Sequence, residues 1–337
     1  MSARNNKIKH PSGIEIETPI LIPSFSSKGF SFDSKGQSEA TDALNLSNEF
    51  LTESSLMSAY DLYYKHIPFS EEYICTDVTF IDSGGYETSD IYDFSAIAKY
   101  SYPVKDWDLD KYETIINGWP GHKAGIIVSY DHGKSRFDLN TQIDMANNLF
   151  KKHSSFLNNF LIKPETIDQK YIKVDNIISQ AGKMHCFDII GLTEKELGDS
   201  ILHRMVHISK IRAALDSKGN NAPIHVFGSL DPITSILYFL AGAEIFDGLT
   251  WLKYSYYRGM AIYQSNNGAL DEELGIHVKD AQVRSKSIVN NIYFLDKMKY
   301  IMKDFVVKKD FTLFNKLNST LGKYLEINYQ TFESNIK

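Results

Sequence analysis

The chain has 337 residues, a formal net charge of −6, 43% hydrophobic and 23% charged residues. That composition excludes wholesale disorder and a binder held to nucleic acid by bulk positive charge, while a local basic groove stays open. At ~150 residues per domain the length allows two domains, and a single α/β barrel fits it as well.

In chain order, the opening MSARNNKIKHPSGIEIE carries basic residues with no apolar stretch after them, so it does not read as a secretory signal. Eight short apolar segments rich in Ile, Val and Phe then read as strands buried on both faces: Thr18–Ser24, Ser54–Tyr60, Val78–Ser83, Gly125–Tyr130, Asn159–Pro164, Phe187–Leu192, Ile224–Ser229 and Glu244–Thr250. The Ser- and Gly-rich stretch Ser26–Asn48 reads as a loop passing over one end of the fold. Helices are predicted over Asp138–Phe156, Glu194–Asp216 and Asp231–Ala241, the last with Pro232 in its first turn. After about residue 275 the texture changes: His277–Asp304 reads as one long helix. Lys297, Lys299, Lys303, Lys308 and Lys309 favour a solvated face over a phosphate-contacting one.

The alternation of strands and helices predicts an α/β chain folded as a (β/α)8 TIM barrel (1–275) with a C-terminal helical extension packed on it (276–337). An open doubly wound sheet is the runner-up, but no Gly-rich fingerprint follows the first strand. Cys75 and Cys186 are too few for a disulfide framework and read as inert buried thiols. His203 and His207, four residues apart, read as helix-surface histidines because no third ligand accompanies them. No run approaches the ~18 apolar residues of a membrane helix, so the expectation is a cytoplasmic chain with no membrane partner.

Reactive groups of such a barrel sit at the carboxyl ends of its strands. Asp82 ends the third strand, Asp131 follows the fourth and Asp247 lies in the eighth. Three carboxylates at one mouth point to a metal site or to acid/base and nucleophilic work on a glycosidic bond. Capping of the next helix is the competing role for Asp82 and Asp131.

Here the motifs acquire a family likeness. IDSGGYE (Ile81–Glu87) resembles the D-S-G-G-[FY]-Q segment of the tRNA-guanine transglycosylase superfamily, and GAEIFDGL (Gly242–Leu249) resembles its G-[VA]-D-x-F-D segment. HVFGSLDP is similar to its G-x-G-x-P turn, ETPILIPSFSSKG to its T-P-x-F-x-P-V-G-T opening, and SAYDLYY weakly to N-T-Y-H-L. The likeness spans roughly residues 15–262 with its motifs in order.

The resemblance implies a glycosyltransferase that replaces guanine in a polynucleotide with a 7-deazaguanine such as preQ0. Asp247 would be the nucleophile on C1′ and Asp82 the proton shuttle. Asp131 would accept hydrogen bonds from the base edge, Ser83 and the backbone near Gly191 and Leu192 would touch the base, and Tyr86 would stack on it. Gly84 and Gly85 would admit the backbone, and Arg258 matches a later Arg-x-Gly. The target nucleotide must leave its stack to be reached.

Several positions depart from the family pattern. The family's zinc ligands are missing after Cys186, so no cofactor is expected. Lys163-Pro164-Glu165 stands where a glutamine is expected, Ile190-Gly191-Leu192-Thr193 replaces Gly-Gly-Leu-Ala, and Thr250-Trp251-Leu252-Lys253 replaces Pro-Thr-Arg. These changes favour the DNA-modifying, DpdA-like branch, with DNA as polymer, over a tRNA enzyme. A non-catalytic nucleic-acid-binding subunit and a small-glycoside hydrolase are the other readings. A helper protein that opens duplex DNA and a second copy of the chain are the protein partners considered.

Overall fold

The structure is a computed structural model that describes residues 2–89, 104–133, 135–271 and 273–336. Eight strands form its centre: β1 (Ile20–Phe25), β2 (Ser54–Ser58), β3 (Val78–Asp82), β4 (Ala124–Val128), β5 (Leu157–Ile162), β6 (Ile189–Thr193), β7 (Ile224–Phe227) and β8 (Ile245–Gly248). Each overlaps the segment expected for it. Every strand pairs in parallel with the next, and β8 returns to β1 with Asp247 opposite Ile22, so the sheet closes into a barrel. This is the (β/α)8 architecture, and it disposes of the open sheet.

Alternation along each strand sorts the side chains onto two faces. Ile20, Ile22, Leu56, Phe80, Val128, Leu161 and Phe227 fill the barrel interior. Leu21, Phe25, Met57, Ile81, Phe160 and Leu192 face the helices in the larger outer core. At ~25 cal/mol per Å² of apolar surface, both layers contribute to cohesion, and neither strand face can be polar without a local reason.

The helices are α1 (Glu39–Ser47), α2 (Leu109–Asn117), α3 (Leu139–Lys152), α4 (Val174–Gln180), α5 (Ile201–Ser217), α6 (Pro232–Ala241), α7 (Asp280–Lys308) and α8 (Leu321–Asn335), with shorter turns between. Asp138 caps α3 through the Thr141 N–H at 3.1 Å, and Asp231 caps α6 through the Ile233 and Thr234 N–H groups at 3.0 and 3.1 Å. The single helix expected over Glu194–Asp216 is instead two, Glu194–Leu197 and α5. Gly198 interrupts it, and the Ser200 hydroxyl opens the second piece by accepting from His203 N–H at 3.2 Å.

The long helix α7 runs down the outside of the barrel beside α1. Arg284 meets Glu39 at 3.6 Å near the mouth, and Lys303 meets Glu17 at 3.1 Å below the start of β1. Lys299 is buried and pairs with Glu53, which precedes β2. The expected solvated lysine face is therefore corrected in part: Lys299 and Lys303 clasp acids at the barrel floor, whereas Lys297, Lys308 and Lys309 are exposed. Cys75 is half-buried, whereas Cys186 is exposed, which corrects its expected burial; it ends a 3-10 turn on the lower rim just before β6. His203 pairs with Asp199 at 2.5 Å and His207 with the Leu197 carbonyl at 2.6 Å, so both serve the helix surface. Among the described residues no helix is long and apolar enough to cross a membrane.

Candidate active site

The upper layer of the barrel interior turns polar. Asp247 follows the inward Ile245 by two residues and Ser24 follows the inward Ile22 by two, so both point into the barrel. Ser24 Oγ donates to Asp247 Oδ2 at 2.8 Å. Asp247 Oδ1 lies 3.1 Å from His225 Nε2 and accepts the Gly228 N–H at 3.2 Å. Asp247 is 5% exposed, and among the described residues a hydroxyl, an imidazole and a backbone N–H satisfy it.

Asp82 sits two residues beyond the inward Phe80 and so faces the same interior. The Gly84 N–H donates to its Oδ2 at 3.1 Å. Burial pushes its carboxyl up to about 6, against that hydrogen bond, and the negative charges of Asp247 and Asp131 push the same way. The two acids expected to act as a pair thus point into the same interior, and Asp82 feels the charge of Asp247. Asp82 caps no helix; its bond is to the loop that follows it.

That loop depends on its glycines. Gly84 has φ +82°, and a Cβ there would come 2.8 Å from the Tyr60 Cβ and 2.9 Å from Trp107 Nε1. A Cβ on Gly85 would come 2.7 Å from Asp131, so the missing side chain lets that carboxylate close on the loop. Ser83 is buried, with its hydroxyl accepting the Asp131 N–H at 3.2 Å and its carbonyl accepting the Trp107 indole N–H at 2.7 Å. Tyr86 is half-buried, with Lys28 Nζ 4.6 Å above its ring.

Asp131 is held differently. Arg136 donates to its Oδ1 at 2.7 Å and Lys163 Nζ lies 3.2 Å from its Oδ2. Burial alone would raise its carboxyl, but the charges of Lys163 and Arg136 outweigh that and hold it below the usual range. Lys163 also reaches Glu196 at 2.7 Å. It therefore keeps Asp131 ionised, with lone pairs left for further donors. Asp131 is no helix cap either, since Asp138 has that task. A cavity of about 190 Å³ opens beside this cluster, between Tyr130, Arg136, Phe137 and Lys163.

Other expected residues fall elsewhere. Gly191 lies on the interior face, where a Cβ would come 2.7 Å from Phe227 and 2.9 Å from Asn159 Oδ1. The Leu192 side chain faces the helices. Arg258 is exposed at the turn between strands Tyr254–Tyr257 and Met260–Tyr263, and its carbonyl accepts from Asn318 Nδ2 at 2.9 Å. It belongs to the contact with the C-terminal helices, not to the carboxylates.

Sequence reasoning missed Ser24, Asn159, His225, Arg136 and Glu87. Glu87 is buried between the Ser26 and Ser58 hydroxyls, the latter at 2.7 Å. Burial raises its carboxyl to about 8, with the charges of Asp61 and Asp82 adding to the effect. The available signal was a polar residue at an inward position of an apolar strand, as for His225 beneath Phe227. A comparison with protein-family models finds no match to this chain, and a comparison with curated proteins finds none either.

Proposed function

We propose that this protein is a guanine transglycosylase that exchanges guanine in DNA for a 7-deazaguanine base, in the manner of the tRNA-guanine transglycosylase superfamily. One observation carries the reading: two carboxylates point into the same upper barrel interior, Asp247 under the Ser24, His225 and Gly228 hydrogen bonds and Asp82 raised to about 6 by burial, with the charge of Asp247 adding to the effect. A carboxylate raised toward neutrality beside a second carboxylate held by hydrogen-bond donors is the pairing that acid/base and nucleophilic work in one site requires.

Asp247 attacks C1′ of a nucleotide swung out of its stack, giving a glycosyl ester. Asp82 protonates the departing guanine, then takes a proton from the incoming base as that base attacks C1′ and releases Asp247. Asp131, ionised by Lys163 and Arg136, accepts the two N–H groups on the guanine edge; adenine offers no such pair and is rejected. The segment after Asp247 supports DNA over tRNA. Trp251 is fully buried with its indole N–H on the Ser24 carbonyl at 3.1 Å, and Lys253 is buried too, so this stretch packs inward where the tRNA family carries Pro-Thr-Arg.

The test is transfer of label. Purified protein is incubated with labelled guanine or deazaguanine and, separately, single-stranded DNA or bulk tRNA, and each polymer is digested to nucleosides. Label in DNA is the expected result. Label only in tRNA would move the substrate assignment, and label in neither polymer would overturn the reading.

A further inference from the structure

His225 has no assigned role, yet it is fully buried in the barrel interior. Its ring stacks on Phe227 at 3.8 Å and meets the edge of Phe80 at 5.5 Å. A polar ring in such a place is costly unless its nitrogens are used, and here both are. Asn159 Nδ2 donates to His225 Nδ1 at 2.8 Å, so the ring proton resides on Nε2 and points at Asp247 Oδ1, 3.1 Å away. Asn159 is itself fully buried, and its Oδ1 finds no hydrogen-bond partner among the described residues. Leaving that carbonyl unpaired sacrifices stability. The amide is thus spent on fixing one tautomer of one ring.

We infer that His225, oriented by Asn159, is a positioning residue that controls release of the sugar from Asp247. This rests on Asp247 being the nucleophile. The two carboxylate oxygens are unequal: among the described residues Oδ1 takes the His225 and Gly228 donors, while Oδ2 takes only the Ser24 hydroxyl, which can rotate away. Oδ2 is therefore the attacking atom, and Oδ1 becomes the carbonyl oxygen of the glycosyl ester. In the second step N9 of the incoming base bonds C1′, its proton passes to Asp82, and the C1′–Oδ2 bond breaks with its electron pair returning to Asp247. Negative charge then spreads onto Oδ1, where the His225 N–H is already in place. The hydrogen bond lowers the barrier to departure more than it aids attack, because a carboxylate stripped of a donor is the stronger nucleophile and the poorer leaving group.

The experiment measures the lifetime of the protein–DNA adduct by rapid quench, using single-stranded DNA and then a chase of free guanine. His225→Phe keeps the stacked ring and removes the donor. It is expected to form adduct at the wild-type rate or faster and to release it about ten- to a hundredfold more slowly. His225→Gln, which retains an N–H, is expected to recover most of the release rate. If His225→Phe does not fold, Asn159→Leu frees the tautomer and is expected to lengthen the adduct lifetime in the same direction. Wild-type adduct lifetimes in the folded variants would overturn the inference while leaving base exchange standing. Failure of the wild-type protein to form any adduct would remove the nucleophile itself.

Discussion

The acids of the barrel floor and the acids clustered around Asp82 and Asp247 are held in opposite ways. At the floor, acids meet cations: the fully buried Glu244 lies between Arg4 at 3.2 Å and Arg212 at 3.8 Å, Glu17 meets Lys303 at 3.1 Å, and Glu53 meets Lys299. At the mouth, among the described residues, Asp82, Asp247 and Glu87 meet no lysine or arginine; hydroxyls, an imidazole and backbone N–H groups hold them instead. Other acids at that end do meet cations, Glu39 with Arg284, Glu194 with Arg204 and Glu196 with Lys163; of the three proposed site aspartates Asp131 does so too, and it is the one whose proposed task requires permanent charge. Matched charges at the floor cancel and contribute cohesion. Unmatched ones at the mouth keep their fields, raise one another's affinity for protons and are available for chemistry.

The sharpest way to break this contrast is at Asp247. Asp247→Asn is expected to lower exchange at least about a thousandfold while leaving a cooperative thermal transition, because it removes the proposed nucleophile and orphans no lysine or arginine among the described residues. Arg212→Met should do the reverse. With Glu244 left to Arg4 alone, stability measured by urea unfolding is expected to fall by about 3 kcal/mol, with exchange per folded molecule unchanged. A floor variant that lost exchange without losing stability would dissolve the distinction.

Two pH profiles sharpen it further. In the proposed reaction adduct formation needs Asp82 protonated, so its rate is expected to fall about tenfold per pH unit as pH rises above about 6, and Asp82→Asn should be slow with a flat profile. Glu87 acts on stability instead. Its folded-state carboxyl keeps its proton up to about 8, whereas the unfolded chain releases it near 4.5. The folded state therefore binds the extra proton between those values, and stability is expected to decline as pH rises through that window, by up to about 1.4 kcal/mol per unit. Glu87→Gln should flatten that slope in a series of melting curves. An unchanged slope would mean that Glu87 is ionised in the folded protein.

The barrel was legible because parallel strands buried on both faces write continuous apolar runs, and because Asp138 and Asp231 cap helices at sites marked by ordinary sequence signals. Asp82, Asp131 and Asp247 were legible from their places at strand ends. Their partners were not. Ser24, Asn159, His225 and Asp247 lie on four different strands, and only closure of the ring between β8 and β1 brings the first and last together. Lys163 stood out as a departure from a pattern, yet its work on Asp131 comes from pairing between neighbouring strands that no local motif encodes. Arg258 shows the converse: a motif can match while its hairpin carries the residue to the C-terminal helices.

The most direct measurement is the intact mass of the protein after incubation with guanine-containing single-stranded DNA and no incoming base, followed by peptide mapping. The account predicts a covalent nucleic-acid adduct on the peptide that contains Asp247, lost in Asp247→Asn. A protein that never gains mass, or one that carries the adduct on another residue, would contradict it.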